Sequence, residues 1–414
     1  MGEFRFYLDF ILAQYCRHHG HLPNSKCRGS TIHLLCFLGF RRYIKAIPRI
    51  MSKKALFVGI LLLIGLSIVL LLRMKVDADV DVLVGPRMVT LHQDEDDVSF
   101  RGLYATDDSV VVVGGNKGLF GFSLDAGIHW DFQQLNDAPE SQFRSVWAHD
   151  DHTFLAVSAG APSYVYYSED QGQSWIRTFE DTAQATFLDG IVFTNDSIGF
   201  IYGDPIDGYF KLLRTSDGGK SWSEIEGPSA IDGEVSFAAS GSAITVGEDI
   251  MSIVTGGTVS RVHVSMDLIG GTTWNASPLE LAQGLPFQGA FAQYWDKEKL
   301  FIVGGDYMDD HNTNGTALVA DLSTGEDDIK TMQKLASLPY TSDVSGDGQY
   351  LYFAGTTGVR YFDDELHLMD TTAMYSLVNS GKYVFVSGPK GKICRIFKGT
   401  VGEFNDLMNL IGTE

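Results

Sequence analysis

The chain has 414 residues, 44% hydrophobic and 12% aromatic, with 45 Gly against 11 Pro, a composition that excludes a disordered or collagen-like polymer. Its net charge of −21 is unevenly spread: residues 1–75 hold twelve Lys/Arg and two Asp/Glu, which leaves −31 on the remaining 339 residues. A remainder that acidic excludes nucleic acid and an anionic membrane surface as its partners.

In chain order, residues 1–54 form a basic segment, and residues 55–72, ALFVGILLLIGLSIVLLL, form an uncharged apolar run. At 1.5 Å per residue the run reaches about 27 Å, close to a bilayer core, so it is expected to be a transmembrane helix. Arg41, Arg42, Lys45, Arg49, Lys53 and Lys54 precede it, whereas Arg73 and Lys75 are followed by Asp77, Asp79 and Asp81. The positive-inside bias then predicts a single-pass type II protein whose large C-terminal part lies in the secretory lumen or outside the cell. An uncleaved signal-anchor is preferred over a cleaved signal peptide ending near Ala78, because Arg73 and Lys75 intervene. Residues 1–50 read either as an upstream extension before Met51 or as an acid-poor organelle-targeting leader, which keeps a plastid lumen as the alternative compartment. Residues 73–86 are a linker. Beyond it lie the sequons at Asn195, Asn275 and Asn314, expected glycosylation sites in a secretory lumen. Of the four cysteines, Cys16, Cys27 and Cys36 precede the apolar run. Cys394 therefore has no disulfide partner after that run, and in KICRIF it reads as a buried small hydrophobe.

From residue 87 to 414 a unit of two apolar β runs around a glycine recurs, as in VVVVGGNKGLFGFSLD (110–125) and FLAVSAGAPSYVYYSED (154–170). Its marker glycines are Gly115, Gly160, Gly203, Gly256, Gly304, Gly355 and Gly388. Seven units of four short strands predict an all-β fold, a seven-bladed β-propeller whose closed ring leaves no long edge and is expected to be monomeric. The last unit lacks an outer strand, which either RMVTLHQ (87–93) or EFNDLMNLI (403–411) would supply.

A second phrase, S/T-x-D-x-G-x-S-W, marks the turn from third to fourth strand: Ser168–Trp175, Thr215–Trp222, and the looser Ser123–Trp130 and Ser265–Trp274. Its Asp125, Asp170, Asp217 and Asp267 are expected to accept turn amides in a buried network, which makes them structural. Ligand-binding side chains would then lie on the opposite face. There the starts of the first strands, SFRGL, QFRSV, FLDGI and PFQGAF, are expected to set Arg101, Arg144, Asp189 and Gln288 at equivalent positions around the channel mouth. The loops after the marker glycines add Asp204, Asp207, Asp306 and Lys390, and GEVSFAASG adds Glu234. Two arginines among carboxylates suit a carboxylate or sugar; the competing expectation is that these groups satisfy one another. HDDH at 149–152 reads as a solvated turn. No HExxH, P-loop, GxSxG or Cys/His set occurs, so no metal or cofactor is expected.

SFRGL, SAG-P, FLDG, GDP-DG, GE-FAASG and the Trp-ended phrase together resemble the BNR/Asp-box propellers related to the photosystem II stability/assembly factor and their bacterial relatives labelled "oxidoreductase". The resemblance implies a non-catalytic binding or assembly scaffold whose partner is an unidentified protein or glycan. The alternative is a sialidase-like glycoside hydrolase or carbohydrate-binding propeller. Its substrate carboxylate would need three arginines, and only Arg101 and Arg144 are candidates. A sortilin-like receptor would need a Cys-rich module, which Cys394 alone does not provide.

Overall fold

The computed structural model describes residues 84–94, 97–106, 109–135, 137–138, 140–247, 250–266, 273–313, 315–321 and 332–412, together with Ser67. The predicted leader, anchor (Ser67 apart) and linker before residue 84 lie outside these residues, as do Asp267 and Asn314. Apart from Ser67, the described residues belong to the second of two compact units, Met1–Asp79 and Val80–Glu414. Among the described residues no helix is long and apolar enough to cross a membrane.

The second unit is an all-β, seven-bladed propeller. Blade 1 runs Phe100–Ala105, Val111–Gly115, Leu119–Ser123 and Asp131–Gln134, each strand antiparallel to the last. First strands of the next blades are Gln142–Ala148, Leu188–Phe193, Glu234–Val235 continued by Ile244–Val246, Gln288–Asp296, Asp343–Gly346 and Ser376–Asn379. First and second strands are apolar on both faces, as in Val110–Val113, because each sheet is packed between two others. Fourth strands such as Ile176–Asp181 are largely exposed and form the rim. The core is therefore a ring of inter-blade layers. Phe120, Phe154 and Tyr166 pack between blades 1 and 2. The last layer joins Phe100 and Val111 to Phe385 and Ile393 of blade 7.

Ring closure falls to the first of the two candidate strands. Val84–His92, starting three residues earlier than expected, pairs with Ile393–Gly399 in the register Met88↔Ile396 and Val89↔Arg395. The other candidate is helical, over Val401–Ile411. Thr400 caps it, accepting the Glu403 N–H at 3.2 Å while the Glu403 carboxylate accepts the Thr400 N–H at 2.8 Å. Phe404, Leu407 and Ile411 share one helix face and pack on Val89 and Phe397. A T-x-x-E box before that spacing was the signal for a helix rather than a strand.

The marker glycines fall in or just after the last residues of a second strand, and all but Gly160 mark close approach. A Cβ on Gly203, Gly304 or Gly355 would stand 2.0, 1.9 or 2.3 Å from the carbonyl oxygen of Phe187, Gly289 or Tyr340 respectively. No other residue lets the second strand sit so near the entry of the first.

At the opposite end, the three described copies of the Trp-ended phrase share one hydrogen-bond pattern. In blade 3 the Thr215 hydroxyl donates to Asp217 Oδ1 (2.7 Å) and accepts the Gly219 N–H (3.0 Å). Asp217 also accepts the Ser221 N–H (2.9 Å) and hydroxyl (2.6 Å). Ser168 and Asp170, and Ser123 and Asp125, repeat the first steps. The expectation of a buried network needs one correction: the hydroxyl is buried, but Asp217 and Asp125 are exposed and Asp170 is half-buried.

The channel mouth as candidate functional site

In blades 1, 2, 3 and 5 the pairing of first and second strands slips by one residue near its start. The residue left out of the ladder is Arg101, Arg144, Asp189 or Phe291. Such a bulge re-aims one side chain away from its sheet, so these four positions are equivalent around the inner ring. Gln288 is not of this set. It lies three residues earlier, pairs with Asp306 in the ladder and donates its amide to Asp306 Oδ2 at 2.9 Å. The extra residues of PFQGAF shift the bulge to Phe291.

A segment of blade 4 spans the middle of the ring. Residues 236–242, SFAASGS, leave the first strand after Val235 and rejoin it at Ile244. The Ser236 N–H donates to Asp204 of blade 3 (3.1 Å), and the carbonyls of Ala238 and Ala239 accept Arg144 and Arg101 at 3.3 and 3.2 Å. Ser240 donates to the Ser342 carbonyl (3.0 Å), Ser242 donates to Asp343 Oδ1 (2.5 Å), and the Ser242 carbonyl accepts the Gln293 N–H (3.0 Å). These partners belong to blades 1, 2, 3, 5 and 6. Only a segment crossing the ring axis reaches them all. Its small residues permit this: Gly241 has φ +81° and a Cβ there would meet Ser145 Oγ at 2.9 Å. Sequence reasoning took from this stretch only Glu234 and missed the bridge, whose signal was an Ala/Ser/Gly run inside a strand pattern.

Glu234 itself does not face the mouth. Its side chain is buried, accepts His263 Nε2 (2.7 Å), Thr255 Oγ1 (2.6 Å) and Arg261 Nε (3.1 Å to each oxygen), and also pairs with Arg261 Nη2. Burial pushes its carboxyl upward, but His263 and Arg261 hold it down to about 2. It is a closed structural network, not a ligand group. Asp207 and Lys390 are exposed, each followed by glycine with both φ values positive (52° and 87°; 57° and 61°). They are the corners of two-residue hairpins, where Asp-Gly is favoured for its backbone. Asp306 accepts the N–H groups of Met308 and Asp309 at 2.9 and 3.1 Å and so shapes its own loop.

Arg101 and Arg144 remain. They are half-buried neighbours whose bonds to the bridge are to backbone oxygen only. Arg101 lies over the Tyr375 ring at 4.0 Å, and Arg144 also donates to Gln142 Oε1 at 3.2 and 2.9 Å. Burial and then the Arg101 charge push Arg144 below its usual range. Neither guanidinium has a carboxylate in salt-bridge range among the described residues. Aromatic groups stand beside them: Phe237 stacks on Phe291 (4.2 Å), Tyr340 meets Phe291 edge-on (4.9 Å), and Tyr307 meets Phe237 (6.1 Å). Burial pushes the Tyr340 hydroxyl up to about 12, which leaves it a neutral donor at pH 7. Asp189 is buried, and burial and then the Asp204 charge hold its carboxyl well above the usual range. The arrangement presents two half-buried cations with half-buried Phe237 and Tyr375 and exposed Tyr307, while Phe291 and Tyr340 are buried behind them.

Among curated proteins the chain is 30% identical over 126 residues to photosystem II assembly lipoprotein Ycf48 of Synechococcus sp. (strain CC9902). That stretch is 30% of this chain and 35% of the relative, so the chain spans about a third of the length of the curated relative it matches. The resemblance to the assembly-factor propellers stands. No protein-family model matches the chain. Among solved structures it is similar to YCF48 from Cyanidioschyzon merolae (TM-score 0.55, 12% identity, 75% of this chain and 98% of that one). It is also similar to YCF48 bound to D1 peptide (TM-score 0.53, 15% identity, 76% and 95%). A selenomethionine-substituted virginiamycin B lyase from Staphylococcus aureus is matched as well (TM-score 0.55, 12% identity, 75% and 99%). These likenesses establish the fold alone, which a lyase shares with YCF48.

Proposed function

We propose that this chain is a membrane-anchored, non-catalytic propeller that binds a protein partner at the channel mouth and serves as an assembly scaffold. The observation that carries the reading is the adjacent pair Arg101 and Arg144, whose ring-axis contacts are backbone carbonyls rather than carboxylates. Two such guanidiniums suit a peptide carboxylate, which each can grip through two N–H bonds. The half-buried Tyr375 and Phe237 rings and exposed Tyr307 suit its apolar neighbours, with Phe291 and Tyr340 packed behind Phe237 as support. The solved YCF48 with a bound D1 peptide supports a polypeptide ligand for a propeller of this kind. The Trp-ended phrases act as Asp-box turns on the far face. Residues 55–72 are the anchor, and the propeller lies in a lumen where Asn195 and Asn275, both exposed, carry glycans.

The test is affinity purification of the tagged full chain against the double variant Arg101→Ala/Arg144→Ala. The expected result is loss of the main partner from a variant that still unfolds cooperatively, at a lower midpoint because the buried Ala238 and Ala239 carbonyls lose their donors. An unchanged partner set would refute the mouth as the ligand face. Turnover of a fluorogenic sialoside by the wild type would overturn the non-catalytic reading.

A further inference from the structure

Blade 3 and the axial bridge enclose a group of oxygens that the peptide-binding reading does not use. Asp189 sits on the bulge of the first strand, and Tyr202 is the ladder partner of the next residue, Gly190. Asp204 follows two residues on, at a second slip between Gly203 and Pro205. Ser236 opens the bridge and is pinned there by its N–H bond to Asp204 at 3.1 Å. Its hydroxyl lies beside both the Asp189 carboxyl and the Tyr202 hydroxyl, yet bonds to neither with normal geometry. Both oxygens of Asp189, the Tyr202 hydroxyl and the Ser236 hydroxyl are thus sealed from solvent without a hydrogen-bond partner. The three residues are 1%, 0% and 6% exposed.

Native proteins rarely leave buried polar groups unpaired, and a carboxylate least of all. Arg144, the cation whose charge acts on Asp189, forms no ion pair with it and directs three of its N–H groups to the Ala238 carbonyl and Gln142. Two carboxylates and two hydroxyls, with no nitrogen or sulfur ligand, make the donor set of a hard cation. Asp189 can offer both oxygens, Asp204 its second oxygen, and the hydroxyls one each. Water would complete the six to eight oxygens that Ca²⁺ takes. We propose that Asp189, Asp204, Tyr202 and Ser236 form a buried Ca²⁺ site that ties blade 3 to the bridge across the ring axis.

The full chain, stripped with EDTA and exchanged into buffer with choline as the only added cation, is melted with CaCl₂, MgCl₂ or NaCl while tryptophan fluorescence is followed. Saturating Ca²⁺ is expected to raise the midpoint by about 3–5 °C, as a ligand bound only to the folded state must. Asp189→Asn is expected to lose the shift, and Tb³⁺ emission excited through tyrosine to fall sharply in Tyr202→Phe. A wild-type midpoint indifferent to Ca²⁺ overturns the proposal, as does a response to Na⁺ equal to that to Ca²⁺. So does Asp189→Asn melting higher than an ion-insensitive wild type, since the site would then hold a protonated acid. Should Asp189→Asn fail to fold, unchanged Tb³⁺ emission in both Tyr202→Phe and Ser236→Ala overturns it.

Discussion

Glu234 and Asp217 are both acids held by several donors, yet burial separates what their loss should cost. Removing the Glu234 carboxylate leaves Arg261 and His263 facing a buried gap. We expect Glu234→Ala to lower the unfolding free energy by about 3 kcal/mol in urea titrations. The pH sign follows from its lowered pKa: the stabilisation is complete above about 4.5 and is lost as pH falls towards 2. Asp217, exposed at the turn, should cost only about 1 kcal/mol on substitution by Ala, because water takes over part of its bonds. Binding at the far mouth should not change. Asp343 titrates in another window. It accepts Ser242 Oγ (2.5 Å), the Val344 N–H (2.8 Å) and the Leu377 N–H (2.7 Å), but burial pushes it up to about 7. A raised acid favours the folded state when protonated, so stability should fall as pH rises from about 4 to 7. Asp343→Asn is expected to flatten that fall, read from denaturant midpoints across the range.

Each blade is four strands whose second must come within touching distance of the entry to the first. Gly203→Ala would put a methyl 2.0 Å from the Phe187 carbonyl oxygen and force the strands apart. We expect a loss of more than about 2 kcal/mol and local loss of amide protection in blade 3, whereas Gly208→Ala, with open space around it, should cost only its positive φ. The repeat and its glycines were legible in the sequence because six of the seven copies meet the same steric demand, while Gly160 is set by its positive φ of 95°. The bulges were half legible. Arg101, Arg144 and Asp189 share a short local context, but Phe291 follows an insertion that displaced the pattern. The bridge at 236–242 was not legible as a bridge, because its partners lie in five other blades and no local pattern encodes them.

At the scale of the ring, closure depends on one N-terminal strand. Val84–His92 is the outer strand of blade 7, and Thr90 faces Cys394 across the ladder, Oγ1 to Sγ 3.7 Å. Thr90→Cys is expected to form a disulfide with Cys394 under oxidation, identified by mass spectrometry. It should raise the melting midpoint by several degrees, since cross-linking so large a loop restricts the unfolded chain. A linked protein that melts no higher would mean that the ring opens elsewhere first.

The glycine period and the Trp-ended phrase determined the all-β class, the seven blades and which end of blades 1, 2 and 3 carries the hydrogen-bonded turns. These follow from steric and hydrogen-bonding needs met within about 45 residues of chain. Only the tertiary structure decided that Glu234 is locked to Arg261 and His263, that Gln288 and Asp306 satisfy each other, and that Arg101 and Arg144 meet over a bridged axis. The first two are side-chain pairings inside single blades, across blade 4 and across one hairpin of blade 5, and only the meeting of Arg101 and Arg144 depends on ring closure. Burial and pairing at such distances leave no mark on local sequence.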